Sequence, residues 1–210
     1  QGYMGMYHLA IAVPDQAEFS RLFARFVALS LPMSPVDHLM SKSLYLADPD
    51  GLEVEFTLET PERLLTFHPL KDGCVMTAVT GELHSGRERL DVRAELDHAK
   101  GADLNAHLSD EAYLSHLHLR VPNLEAAEVW YNELGFAKNL VMPHLGMIDL
   151  GAGAPYTHRL ALNNWSGPNI QRPPQKMARL IGYELDVQDK DTFANARGVA
   201  SSGSERTGID

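Results

Sequence analysis

Near the start of the chain, apolar and polar residues change their spacing in a definite order. Met6 to Val13 is rich in β-forming residues and predicts a strand. Residues 17–29 place apolar side chains at helical spacing, and residues 37–46 contain a second strand region. After the turn signal Asp48-Pro49-Asp50-Gly51, residues 52–58 alternate as a half-buried strand does. The pattern predicts one strand, one helix and then a run of strands.

The same order recurs further along the chain. A strand over Leu117 to Val121 precedes an amphipathic helix over Leu124 to Leu134, which ends at Gly135. Further strands are predicted around residues 137–141, 146–150 and 158–162. This recurrence indicates a duplicated structural unit.

A third copy is predicted to begin at Leu180, with a strand-like run to Val187 and a short helical stretch near residues 192–197. We therefore predict an α+β fold in which repeated βαβββ modules pair into an open, curved β-sheet barrel. The predicted organisation is a βαβββ module over residues 3–60, a connecting segment over 61–111, a second βαβββ module over 112–166 and a partial third module over 178–210.

Composition narrows the classes of function. The formal net charge of −10 over 210 residues argues against a nucleic-acid surface. No stretch is apolar enough to span a bilayer, and the first residues lack the features of a signal peptide. Cys74 is the one cysteine, which fits a reducing compartment. We expect a cytoplasmic protein and, because the chain does not begin with Met, a piece of a longer polypeptide.

Histidine opens the first strand of both full modules, as His8 and His116. Strand side chains alternate between two faces, so both imidazoles are predicted to point away from the helix and into the cavity of a paired sheet. The last strand of the first module adds Glu53 and Glu55 on one face. A carboxylate on an inner face is costly unless it is paired or binds a cation.

Two imidazoles and one carboxylate form the facial triad that suits non-haem iron(II). Each of these residues alone has an ordinary structural explanation, and the repeated register of His8 and His116 is what favours a metal site. His118 lies on the same face as His116 and is a rival ligand. It ranks lower because it is two residues out of register with His8.

These residues resemble the pattern of a known superfamily. The modules begin with H-x-x-Φ-x-V-x-D/N, where Φ is apolar, and the first module ends with DPDG-x-x-Φ-E. The pattern resembles the vicinal-oxygen-chelate superfamily, which includes glyoxalase I, fosfomycin-resistance proteins and extradiol dioxygenases. The resemblance implies that His8, Glu55 and His116 are metal ligands inside the barrel, and it leaves Glu53 off the motif.

More of the sequence is similar to one branch, the extradiol dioxygenases of the catechol 2,3-dioxygenase type. Tyr45 stands ten residues before Glu55, as a tyrosine does in that branch, and His38 lies upstream at a slightly shorter spacing. His158 opens the predicted last strand of the second module, and Asn163-Asn164-Trp165 is similar to the Asn-x-Trp that follows it in the branch. The resemblance implies that Tyr45 hydrogen-bonds the substrate, that His38 is an active-site residue and that His158 is the acid–base.

The implied function is extradiol (meta) cleavage of a small aromatic diol by O2 in aromatic catabolism, with Fe(II), or with Mn, Zn or Ni as alternative metals. No nucleic acid or membrane partner is expected. Two other functions stay open: a metal-dependent lyase or isomerase of glyoxalase type, and a metal-free binding protein of bleomycin-resistance type. The third copy has Gly182 where its histidine would stand, so no second site of this kind is expected. Its incomplete sheet exposes edges that favour a homo-oligomer.

Overall fold

A computed structural model describes residues 2–71, 73–153, 156–187 and 189–203. The chain divides into two compact units, one of residues 8–115 and one of residues 1–7 with 116–210. The strands in the described ranges are β1 (Gly5–Ala12), β2 (Ser34–Asp37), β3 (Ser41–Ala47), β4 (Glu53–Glu59), β5 (Leu64–Leu70), β6 (Gly73–Ala78), β7 (Leu83–His84), β8 (Glu88–Arg89), β9 (Tyr113–Arg120), β10 (Ala137–Met142), β11 (Met147–Gly151) and β12 (Leu160–Asn163). The α-helices there are α1 (Gln16–Ala28), α2 (Val92–His98), α3 (Leu124–Glu133) and α4 (Lys190–Gly203).

In the first unit, a mixed sheet carries α1 on one face. Its strand order is β1-β4-β3-β2-β8, with β1 and β4 parallel and the other neighbours antiparallel. α1 begins after Asp15, whose side chain accepts a hydrogen bond from the Glu18 N–H and satisfies a donor of the first turn. The buried apolar core of this unit contains Val13, Phe19, Leu22, Phe23, Phe26, Leu44, Leu58 and Leu90.

The other face of this sheet is polar and buried. Phe56 of β4 packs against Phe26 of α1, with ring centroids 5.5 Å apart. Its neighbours Glu55 and Thr57 point the opposite way and are buried. Ser43 of β3 joins them, because its hydroxyl donates to Glu55 at 2.5 Å and lies 3.3 Å from the Thr57 hydroxyl. The Ser43 hydroxyl therefore satisfies one oxygen of the buried Glu55 carboxylate.

Residues 61–111 contain more regular structure than the expected connecting segment. β5, β6 and β7 form a separate antiparallel sheet, and β8 extends the first sheet beside β2. α2 packs against α1. Glu95 of α2 is 1% exposed and accepts hydrogen bonds from Ser20 at 2.5 Å, Gln16 at 2.7 Å and Lys42 at 2.7 Å. This carboxylate therefore ties α2 to α1 and to β3.

The second unit contains a sheet of order β10-β11-β12-β9, in which β9 and β12 are parallel. α3 contacts β10, β11 and β12. It begins after Asn123, whose side chain accepts a hydrogen bond from the Ala126 N–H. It ends as predicted before Gly135, whose φ of +105° is the left-handed conformation that stops helices.

The two units repeat one arrangement of elements. In each, the order along the chain is strand, helix and three strands, and the first strand pairs in parallel with the last. The α+β fold with repeated βαβββ modules is therefore confirmed. The residue boundaries 3–60, 61–111 and 112–166, and the pairing of modules into a barrel, stay predictions.

The predicted strand over residues 180–187 is not formed, and these residues have no regular secondary structure. A strand is stable when a neighbour accepts and donates its backbone hydrogen bonds, and the described ranges offer this run no such neighbour. Ile181 is accordingly 92% exposed. α4 includes the helical stretch predicted near residues 192–197. The predicted module 178–210 extends beyond the described residues at 188 and 204–210, and its identity stays a prediction.

Among the helices of the described residues, none has the length and apolar character that crossing a membrane requires.

Replacing Glu95 by alanine should destabilise the first unit. The change removes the buried carboxylate that accepts from the Lys42 ammonium and from two further donors, which costs about 3 kcal/mol of unfolding free energy. Urea denaturation followed by circular dichroism measures the loss. Asp97→Ala on the same helix is the matched control, because that carboxylate is exposed and pairs with an exposed Lys100; it should change stability by less than about 0.5 kcal/mol. Equal losses in both variants would contradict the anchoring role of Glu95.

Candidate functional site

β1 and β4 place His8 beside two carboxylates. The parallel register pairs His8 with Glu53 and Ala10 with Glu55, so both glutamates lie along the same face as the imidazole. The Nδ1 atom of His8 is 3.3 Å from Glu53 Oε1, and its Nε2 atom is 3.2 Å from Glu55 Oε2. His8 is 4% exposed and Glu55 is 2% exposed. Two of the predicted metal ligands therefore lie together in a buried position.

The spacing of His8 and Glu55 fits a shared divalent ion. Ligand bonds of about 2.1 Å at right angles place two donor atoms about 3 Å apart, and the observed separation is 3.2 Å. Ser43 donates a hydrogen bond to Oε1 of Glu55, which leaves Oε2 on the side of His8. Glu53 stands at the other ring nitrogen, where carboxylates commonly orient metal-binding histidines. Glu53 thus lies outside the predicted ligand motif but stands beside His8, one of the predicted ligands.

Burial and charge act in opposite directions on His8. Burial favours the neutral imidazole, but the contacts with Glu53 and Glu55 outweigh burial and raise the pKa of His8. The local negative charge therefore favours a positive charge at this buried position. A divalent cation satisfies the same charge, and its binding displaces a proton from the ring.

Tyr45 and His38 stand next to this pair. The register of β3 and β4 sets Tyr45 opposite Glu55, and the Tyr45 ring centroid lies 5.6 Å from that of His8. Nε2 of His38 is 3.0 Å from the Tyr45 hydroxyl, and Nδ1 is 2.6 Å from the carbonyl oxygen of Gly86. A carbonyl oxygen can only accept, so Nδ1 carries the proton. In neutral His38, Nε2 then accepts a hydrogen bond from the Tyr45 hydroxyl.

Tyr45 is held in its protonated form. Burial, followed by the negative charge of Glu55, raises the pKa of Tyr45 well above its ordinary value, while Arg87 acts weakly in the opposite direction. The Arg87 guanidinium lies 5.8 Å from the Tyr45 ring centroid. Gly86 and Arg87 belong to the predicted connecting segment, and neither was among the predicted site residues. Their Ser-Gly-Arg surroundings have the composition of a turn and no catalytic motif, so no signal in the sequence pointed to them.

In the second unit, His116 is the fourth residue of β9, as His8 is of β1. Its side chain is 3% exposed. The ring of His158 packs edge-on against it, with centroids 4.2 Å apart. The second unit therefore brings together the two histidines that the sequence predicted for it.

His158 lies two residues before β12 rather than at its first position. Its Nδ1 atom is 2.9 Å from Oδ1 of Asp149, within ion-pair distance although not aligned as a regular hydrogen bond. Asn139 donates a hydrogen bond of 2.8 Å to the other oxygen of Asp149. Asp149 is buried and was also missed by the sequence analysis. The sequence does contain a signal for Asp149, because it is the one charged residue in the strand MIDLG.

His118 is engaged elsewhere in the second unit. Its Nε2 atom lies 2.8 Å from Nδ2 of Asn163. An amide nitrogen can only donate, so this imidazole nitrogen accepts and its lone pair is occupied. The ring also packs edge-on against Tyr7 and Trp165, with centroids 4.9 Å and 5.4 Å away. These contacts give His118 a structural role and favour His116 as the ligand.

Strand register shows how the two modules differ. In the first module, Glu55 pairs across the sheet with Tyr45. The corresponding pair in the second module is Ala161 with Asp149. The second module therefore offers imidazoles but no carboxylate at the position of Glu55. Each unit assembles its own set of predicted residues, and the convergence of both sets on one metal ion stays a prediction.

Comparison with known proteins gives one curated relative at the level of sequence. A Bacillus subtilis (strain 168) protein named catechol-2,3-dioxygenase is 30% identical over 196 residues, which are 91% of this chain and 64% of the relative. The chain thus spans just under two thirds of that relative's length. No family model matches the chain.

Solved structures give weaker similarities. Methylmalonyl-CoA epimerase from Mycobacterium tuberculosis matches with a TM-score of 0.37 and 12% identity, over 81% of this chain and 89% of that protein. Glyoxalase I from Zea mays matches with a TM-score of 0.23 and 14% identity, over 77% of this chain and 68% of that protein. Scores this low do not define the fold, so the sequence relative is the informative match. Together with the motifs, it confirms the predicted resemblance to the vicinal-oxygen-chelate superfamily and, within it, to proteins of the catechol 2,3-dioxygenase type.

Proposed function

We propose that the protein is an extradiol dioxygenase, which opens the ring of a catechol-type diol with O2 and a non-haem iron(II) ion. The observation that carries the proposal is the buried contact of 3.2 Å between His8 Nε2 and Glu55 Oε2. Next to that contact, the Tyr45 hydroxyl and His38 form a hydrogen-bonded pair. The relative named catechol-2,3-dioxygenase supports the same chemistry.

His8, Glu55 and His116 would hold the metal. His116 is included because it has the same strand position as His8, it is buried, and its module has alanine at the position of Glu55. One carboxylate and two neutral imidazoles leave a divalent ion with net positive charge and open positions, the donor set of non-haem iron sites. When bound, the metal would lower the pKa of the diol hydroxyls and bring the two reactants together.

Tyr45 and His38 would receive a proton from the diol. The Tyr45 hydroxyl donates to His38 Nε2, so its oxygen keeps lone pairs that can accept a hydrogen bond from a substrate hydroxyl. A proton arriving at Tyr45 can be passed on through this hydrogen bond to His38 Nε2. The Gly86 carbonyl, which accepts from His38 Nδ1, stabilises the resulting imidazolium.

His158 would act as the acid–base of the second unit. Asp149 holds its Nδ1 atom, which leaves Nε2 to exchange a proton with the reacting diol. Asn139 fixes the carboxylate that performs this orientation. Asp149 is therefore a positioning residue, whereas His158 is the group that touches the substrate.

Anaerobic purification, iron quantification and an oxygen-electrode assay with catechol test the proposal. We expect about one iron per chain, oxygen uptake that depends on catechol, and a yellow ring-opened product. Stoichiometric Zn, Ni or Mn without oxygen uptake would instead indicate a glyoxalase-type lyase or isomerase. Tight ligand binding by protein that takes up no metal would indicate a binding protein. Either result contradicts the dioxygenase proposal.

Glu55→Gln should weaken metal binding more than Glu53→Gln does. The first substitution removes the anionic ligand and should lower iron affinity at least about 100-fold, whereas the second removes a contact that orients His8 and should lower it about tenfold. Competition with a chelator under anaerobic conditions measures both affinities. The two variants carry the same charge change two residues apart, so equal effects would show that charge alone matters and that Glu55 is not a ligand.

His158→Ala should lower catechol turnover about 1,000-fold while iron content stays close to that of the unaltered protein, because acid–base catalysis commonly contributes two to four orders of magnitude. Asp149→Asn should lower turnover less, since it weakens the contact that orients the His158 ring but leaves the imidazole in place. Iron content and a pH–rate profile are measured for each variant. Normal ring cleavage by His158→Ala would rule out the role assigned to His158.

A further inference from the structure

A positively charged side chain from the predicted connecting segment stands beside the candidate site. Arg87 lies in the tight turn between β7 and β8, and its guanidinium carbon is 5.8 Å from the centre of the Tyr45 ring. The same ring lies 5.6 Å from the ring of His8. Tyr45 is therefore the common neighbour of a proposed metal ligand and of an exposed cation.

Hydrogen bonds to both the N–H and the carbonyl of Gly86 fix the backbone of this turn. The Gly86 N–H donates to Nδ1 of His84 at 2.9 Å, and its carbonyl accepts from His38 at 2.6 Å. Gly86 has a φ of +81°, and an added Cβ would lie 3.2 Å from the Cys74 sulfur. The turn therefore fits closely against β6 and His38, and it presents Arg87 from a fixed position rather than from a loose loop.

Arg87 carries a charge that no carboxylate neutralises among the described residues. The ion pairs found there include Arg21 with Glu18 and Arg63 with Asp37, but none involves Arg87. The chain has 28 acidic and 18 basic side chains, so acidic partners are abundant. A planar guanidinium with its donors available is well suited to a carboxylate, which it can bind through two hydrogen bonds.

We propose that Arg87 selects catechols that carry a carboxylate on the ring or on a short side chain. The inference rests on the proposed dioxygenase function and adds the substrate class to it. A diol held next to His8 and Tyr45 leaves the far side of its ring for a substituent, and Arg87 supplies the opposite charge beside Tyr45. The contact between Arg87 and the Tyr45 ring keeps the guanidinium close to the ring when no substrate is bound.

The test compares catechol, 3,4-dihydroxybenzoate and dopamine as substrates of the iron-loaded protein. Binding is measured by anaerobic calorimetry and turnover by oxygen uptake. The unaltered protein should prefer dihydroxybenzoate over catechol. Arg87→Met should lower that preference about tenfold, which corresponds to the loss of one charge-assisted contact. Arg87→Lys should restore part of it, and Arg87→Glu should shift the preference towards the cationic dopamine.

Arg89→Met is the matched control, because it removes the same charge at a position two residues from Arg87. Among the described residues, no contact joins the Arg89 side chain to Tyr45. Its substrate preference should equal that of the unaltered protein. Equal losses for dihydroxybenzoate and catechol in Arg87→Met would mean that Arg87 only supports the turn, and this would overturn the inference. A preference that falls equally in Arg89→Met would also overturn it, because the effect would then be one of general charge.

The failure of this inference can be told apart from failure of the proposed function. If catechols are cleaved but Arg87→Met leaves the preference for dihydroxybenzoate unchanged, only the inferred substrate class is overturned. Absence of oxygen uptake with all three catechols would overturn the dioxygenase proposal, and the substrate class with it.

Discussion

The parallel pairing of β1 with β4 is the constraint on which the candidate site depends. It buries an imidazole and a carboxylate 3.2 Å apart and keeps a second carboxylate at the other ring nitrogen. Groups of this kind are expensive to remove from water, and they persist when charge and hydrogen bonds compensate for the loss of solvent. Ser43 satisfies one oxygen of Glu55, and the remaining charge raises the pKa of His8. The fold therefore maintains a concentrated negative charge between the middle of β1 and the start of β4.

Duplication gives the protein two copies of one scaffold with different chemistry. Both copies pair the first strand in parallel with the last and begin their helix after an Asp or Asn cap. The positions of Glu55 and Tyr45 in the first copy are taken by Ala161 and Asp149 in the second. One copy thus has a buried carboxylate and a phenol at this pair of positions, whereas the other has an alanine and a carboxylate that lies 2.9 Å from His158. Strand register preserves the positions while the side chains change.

The segment between the two copies contributes more than a covalent connection. It forms a small sheet of its own, adds β8 to the first sheet, and is tied to α1 through the buried Glu95. Its tight turn then determines the tautomer of His38 through the Gly86 carbonyl and presents Arg87 beside Tyr45. A segment without sequence periodicity therefore supplies a backbone acceptor and a charge at the candidate site.

The sequence by itself determined the repeated order of elements, because period-two and helical spacing are local properties that the residues carry along the chain. It also determined His8, Glu55, His116, Tyr45 and His158 as candidates, since a duplicated register and a motif can be found without coordinates. The contacts of Glu53, Gly86 and Asp149 became evident only in the tertiary structure. Glu53 contacts a residue that is distant in the chain, and Gly86 contacts His38 through its backbone carbonyl. The type of a side chain in the sequence does not reveal such contacts. The strand predicted at residues 180–187 was wrong for the related reason that a strand requires a partner, which local sequence cannot supply.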